Sequence, residues 1–216
     1  MTTIDAAPRP RLRGWLHAAV TPLVLAAGVT LILLAPTPAA RIAAAVYALT
    51  SVLLFGTSGF YHRARLSTRV SEALRRMDHS NIYLIIAGTY TPFGVIALDG
   101  AAQLTMLLVI WIGAVAGVVF RAVWMAAPRW LYTSLYIGLG WVAVFFIPQF
   151  IAGVGVAAVI LVAAGGLLYS VGGVVYGLKR PNPSPAWFGF HEVFHACTVA
   201  AYVCQFIAVF LVVLAA

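Results

Sequence analysis

His191 and His195 stand four residues apart, with Glu192 between them, at the start of a segment that is otherwise apolar to Leu214. Ionisable groups are costly in such a segment, so three of them together ask for a function or a partner. On a helix the two imidazoles fall about 40° apart, and Thr198, Tyr202 and Gln205 lie within roughly 40° of the same line. One face of the segment is therefore polar for much of its length. Cys197 and Cys204 share a different face and are expected to pack against apolar neighbours, with no disulfide between them. Two imidazoles on one helix face are two metal ligands in need of a third.

The elements that must position them are membrane helices. The 216 residues are 63% hydrophobic and 8% charged, with a mean hydropathy of +1.02, far outside the soluble globular range. At about 20 residues per crossing, the apolar segments predict an all-α integral membrane protein, a seven-helix bundle with spans near 15–34, 42–62, 80–98, 102–124, 131–150, 153–178 and 187–214. Ahead of them lies a polar tail, residues 1–14, with Arg9, Arg11 and Arg13. The first segment is too long for a signal-peptide core and is expected to remain a span. The short connections predict antiparallel neighbours.

Basic residues near span ends accumulate on the cytoplasmic side. With the N-terminus inside and the C-terminus outside, only Arg41 of the 13 Lys and Arg residues is misplaced. The location that follows is a cell membrane, with the basic loops on its cytoplasmic side. The net charge of +8 is explained by this rule and the anionic leaflet, with no call for nucleic acid. Between the second and third spans, Leu66, Val70, Leu74 and Met77 alternate at helical spacing with Arg65, Arg69, Glu72 and Arg76, which predicts a short helix lying on the inner surface. Gly113 with Gly117 and Gly173 with Gly177 are small-residue pairs that suit close helix packing.

This topology brings His62, at the end of the second span, and Asp78, at the start of the third, to the same depth as His191 and His195. Ser58 precedes His62 by four residues on the same helix side, continued by Ser51 and Tyr47; Asn81 and Thr89 extend the Asp78 side. Three neutral imidazoles with an open fourth position describe a catalytic zinc site in which a water's pKa is lowered to about 7. Asp78 would orient that water or take its proton, and Ser58 would donate to Asp78 or to an oxyanion formed at a carbonyl. Taken singly, His17 and His79 read as packing residues at the membrane edge, Asp78 as a helix cap and Ser58 as a helix–helix hydrogen bond.

The run His191 to His195 also spells the H-E-x-x-H of zinc metalloproteases, with Glu192 as base. Glu192 lies about 100° round from His191, and no later segment offers the further ligand such proteases use. An intramembrane protease is accordingly the lesser reading.

Three runs carry a family resemblance: Ser58, Gly59, Phe60, Tyr61 and His62; Met77 to Tyr83 continuing through Ala87, Gly88, Thr89, Tyr90, Thr91, Pro92 and Phe93; and Phe190 to His195. They resemble the hemolysin III proteins, the bacterial branch of the progestin and adipoQ receptor family, in a wider superfamily that includes alkaline ceramidases. The resemblance implies a seven-helix fold with a cytoplasmic N-terminus, a zinc ion held by His62, His191 and His195, and Asp78 contacting the zinc-bound water. It further implies hydrolysis of lipid amide bonds and a part in membrane-lipid homeostasis.

Three functions follow as expectations. The first is a zinc-dependent hydrolase of a lipid amide or ester near the inner leaflet, with membrane lipids as partners and no obligate protein partner. The second is a non-enzymatic, receptor-like regulator in which zinc clamps helices. The third is a transporter or pore, disfavoured because the ionisable groups gather at one side, with Asp99 alone near the other.

Overall fold

In the computed structural model, residues 10–216 are described; the first nine residues, with Arg9 of the tail, lie outside them. Every element among the described residues is helical apart from an isolated bridge between Ser184 and Phe188. The helices are α1 (Trp15–Leu34), α2 (Pro38–Arg63), α3 (Thr68–Ala97), α4 (Gly100–Val123), α5 (Arg129–Gly140), a 3-10 helix (Trp141–Phe146), α6 (Ile147–Leu178) and α7 (Phe190–Leu214). Among the described residues, six runs are long and apolar enough to cross a membrane: α1, α2, α3, α4, the 50-residue run Arg129–Leu178, and α7.

Local chemistry sets the boundaries. The Thr37 side chain accepts from the Ala40 amide at 3.2 Å while Pro38 takes the first helical position of α2, filling one orphan donor where a missing N–H costs nothing. At the far end of α3 the Gln103 amide donates to the carbonyls of Gly94, Val95 and Leu98, groups that a helix end leaves without partners.

The helix expected on the membrane surface is instead the first turns of α3, which runs unbroken from Thr68 through Asp78 to Ala97. No glycine or proline occurs between Thr68 and Asn81, so nothing stops helix propagation there. At 1.5 Å per residue α3 is about 45 Å long, well beyond a hydrocarbon core of about 30 Å.

The 50-residue run folds back on itself. Gly155, at φ 82 and ψ 167, leaves the helical region, a conformation that glycine adopts without steric cost. Across the bend Trp141 Nε1 donates to Ser170 Oγ at 2.9 Å and Arg129 reaches the Tyr176 carbonyl at 3.4 Å. Where the backbone tightens to 3-10, the Tyr90 hydroxyl donates to the Gly140 carbonyl and accepts from the Ala143 amide, so these backbone groups stay paired.

Packing places α3 and α7 at the centre. α2 lies between α1 and α3; α3 also meets α4, α5, α6 and α7; α7 packs on α6 and α1. Tyr47, Ser51 and Ser58 on α2, Asn81 and Thr89 on α3, and Thr198, Tyr202 and Gln205 on α7 are all buried. The polar stripes therefore face the interior. Asn81 joins α3 to α2, donating to the Leu53 carbonyl at 2.8 Å and to Thr57 Oγ1 at 3.1 Å. Small residues let helices approach: a Cβ on Gly59 would meet the Ala18 backbone at 2.9 Å, and one on Gly117 would strike the Tyr83 ring.

Candidate metal centre

His62, in the last turn of α2, and His191 and His195, in the first two turns of α7, come together although 129 residues separate the first two. One ring nitrogen from each of the three lies within 4.8 Å of the others. Nε2 of His62 and Nε2 of His191 are 3.2 Å apart, close to the roughly 3.3 Å that separates two nitrogens on one tetrahedral zinc at about 2.05 Å each. Three imidazoles so placed can hold a metal ion, and the donor set suits a borderline-soft divalent cation.

Asp78 Oδ2 stands 3.7 Å from His62 Nε2, beside the cluster but outside its ligand set. Ser58 is buried and its side chain faces the Asp78 carboxyl. The third helix thus brings a carboxylate and the second a hydroxyl to one edge of the histidines.

These groups head a long cavity enclosing roughly 1240 Å³ of empty space, part of it open to the surroundings. Both Asp78 and Phe93 line it, and the fifteen helical steps from one to the other correspond to about 22 Å of depth. Beyond the histidines its walls are largely apolar, with Ile82, Ile86, Phe93 and Ile137 among them, while Thr198 and Gln205 line it from α7.

Glu192 takes no part in the cluster. Its Oε2 accepts from the Gly189 amide at 2.8 Å, closing a capping box at the start of α7, and its Oε1 pairs with Arg13 Nε at 2.6 Å. The carboxylate is 1% exposed and does not line the cavity. A metalloprotease base would have to face the reacting carbonyl, so the arrangement gives that lesser reading no support.

His79 lines the cavity, with its ring edge-on to Tyr132 at 5.8 Å and its carbonyl accepting from the Tyr136 hydroxyl. It sits among aromatic rings rather than among the three histidines. His17 is the residue whose place sequence reasoning missed. It is buried, and its ring stacks on that of His195 at 3.7 Å and 8°. The available signal was its position one turn into the first span, at the same end as His62. Arg121 is likewise buried in the last turn of α4, with its guanidinium 4.3 Å from the Tyr132 ring centroid.

Comparison with known proteins gives the chain's relatives. The model of a family described as "Haemolysin-III related" matches residues 6–206. The chain is 32% identical to "Hemolysin-3 homolog" of Bacillus subtilis (strain 168) over 146 residues, 67% of this chain and 68% of that protein. It is 35% identical to "Hemolysin-3" of Bacillus cereus over 140 residues, 65% of this chain and 64% of that protein.

Proposed function

The chain belongs to the haemolysin-III-related family, a multi-pass membrane protein with six helical runs fit to span, and from that premise we propose a zinc-dependent hydrolase acting on a lipid amide or ester. In this reading it crosses the bacterial cytoplasmic membrane seven times. The fold-back at Gly155 supports counting Arg129–Leu178 as two crossings. The arginines near His62 and Asp78 support an inward-facing centre and N-terminus.

The observation that carries the proposal is the junction of two environments: three imidazoles with a carboxylate beside them, at the head of an apolar cavity about 22 Å deep. An acyl chain fits the apolar length, and its polar linkage would then lie level with the histidines. His62, His191 and His195 would hold the zinc, which when bound would supply Lewis acidity towards a carbonyl or a water. Asp78 takes a proton from the attacking water as its oxygen bonds to the carbonyl carbon, then gives that proton to the departing amine nitrogen or alcohol oxygen as the C–N or C–O bond breaks. Ser58 holds the Asp78 carboxyl in place by hydrogen bonding, or donates to the oxygen on which negative charge develops. The apolar walls exclude bulk water.

The test is zinc content and lipid turnover in purified wild type beside Asp78→Ala, with lipids extracted from the host membrane. Stoichiometric zinc in both, with fatty acid released only by the wild type, is the expected result. Equal zinc with no turnover in either points to the clamp reading, in which the ion ties α2 to α7 in a regulator. A wild type that takes up no zinc removes the centre altogether.

A further inference from the structure

His17 contributes nothing to the proposed chemistry and yet sits against it. Its side chain is 2% exposed and lines the cavity, its ring lies flat on His195 at 3.7 Å and 8°, and Phe55 meets its other side edge-on at 5.0 Å. Neither of its ring nitrogens has a hydrogen-bond partner. Leaving both unpaired in the interior costs stability, so the position of this side chain calls for a reason.

A fourth ligand is not that reason. Imidazole lone pairs lie in the ring plane, so those of two parallel rings 3.7 Å apart run side by side and do not converge on one ion. Tetrahedral coordination needs them to converge at about 109°.

His195 supplies the second half of the argument. A metal-bound histidine ordinarily donates its other ring N–H to a carboxylate, carbonyl or water, which fixes the ring's tautomer and direction. Nδ1 of His195 is buried and has no carboxylate or carbonyl as a partner. His191 faces Nε2 of His62, and His62 has Asp78 beside it, but the direction of the His195 ring is set by the surfaces it packs on.

We infer that His17 is a positioning residue for the metal centre: its ring face holds the His195 imidazole in the ligating direction, replacing the missing hydrogen bond. The inference rests on reading the three histidines as metal ligands. The start of α1 is built to hold that face still. Gly14 adopts φ 76, and a Cβ there would meet the His62 Cβ at 2.5 Å. Arg13 pairs with Glu192 on α7, while the amides of Arg11 and Leu12 donate to the carbonyls of Ala186 and Trp187. The segment leading into the helix that carries His17 is thereby tied to the start of the helix that carries His195 and to the residues just before it.

The test compares wild type, His17→Phe and His17→Leu for zinc affinity by competition with a chelator, and for the visible spectrum with cobalt(II) in place of zinc. Phe keeps a flat ring and has no nitrogen; Leu keeps bulk without a ring face. We expect affinity within about threefold of wild type and an unchanged cobalt spectrum for Phe. For Leu we expect roughly tenfold or greater weakening, as for other outer partners of metal ligands, with shifted bands. Equal weakening in a folded Phe variant would show that the nitrogens matter and overturn the inference, as would wild-type behaviour in Leu. The Phe result decides by itself if Leu fails to fold. Wild type that binds neither ion removes the metal reading first, and this inference with it; failure of lipid turnover leaves it standing.

Discussion

The helices that carry the histidines and the run that closes the cavity are built differently. In α3, 67% of the most apolar window is buried, against 11% in the run Arg129–Leu178. Both α2 and α7 hold helical geometry throughout, and α3 does so past Pro92. The opposite wall changes to 3-10 at Trp141–Phe146 and turns at Gly155. Glycines follow this division only in part, since a Cβ on Gly153 or Gly165 in the wall would meet the Ala97 carbonyl at 2.6 Å or the Gln205 amide at 2.7 Å. A Cβ on Gly88 of α3 would run into the Thr50 hydroxyl of α2, whereas Gly138, Gly140 and Gly166 in the wall meet nothing within 4 Å. Ligand geometry tolerates little movement, and it is set on the tightly enclosed frame. The space a lipid chain would enter is bordered by the run whose apolar window is least buried.

Metal removal should separate the two regions most strongly, because an ion held by His62, His191 and His195 would join α2 to α7 at the frame and not at the wall. A wild type loaded at 1,000 times its Kd gains about 4 kcal/mol from that ion. Chelation should therefore lower its melting temperature by several degrees, while His195→Ala should melt at the same temperature with or without chelator. An equal chelator effect in both would place the ion elsewhere. Next in size is Gly88→Ala, which forces α2 and α3 apart at a packed crossing. Overpacking of this kind costs about 1–3 kcal/mol, measured as a drop in the thermal or denaturant midpoint, with weaker zinc retention to match.

Much of the frame is legible in the sequence because it rests on periodicity. Polar residues at helical spacing in apolar segments have to face inward, and that alone turns Ser58, Asp78 and His195 towards one interior. Contacts that depend on how neighbouring helices are rotated are not legible in this way. The 8° stack of His17 on His195 needs the exact rotation of α1, a helix whose apolar residues run all the way round. The extension of α3 back to Thr68 was masked by its charge pattern, since an amphipathic first turn reads alike whether it lies on a membrane or projects from it. Glu192 shows the opposite case. Its place in a five-residue motif suggested chemistry, but its i+3 relation to Gly189 and the charge of Arg13 decide its role.

Within the wall, Tyr90→Phe tests whether its irregular stretch is held from the frame. The hydroxyl serves both the Gly140 carbonyl and the Ala143 amide, and leaving such groups buried and unpaired costs about 1–3 kcal/mol. The melting temperature should fall, with zinc affinity unchanged. A loss of zinc alongside would mean that the wall and the frame move as one unit.

Gly166→Ala is the smallest change and the sharpest one. Gly166 lines the cavity, and a Cβ there meets nothing, so the substitution has no clash to relieve. In a helix interior it gains up to about 1 kcal/mol from alanine's better propensity, and the melting temperature should hold or rise slightly, opposite in sign to Gly88→Ala. Gly166→Leu at the same site keeps that advantage but fills part of the space, so it should leave melting and zinc binding near wild type while weakening uptake of a fluorescent fatty acid. Destabilisation by Gly166→Ala comparable to that of Gly88→Ala would show both regions to be equally packed and end the distinction. Unchanged fatty-acid uptake in the Leu variant would instead keep the distinction and move the chain's path away from α6.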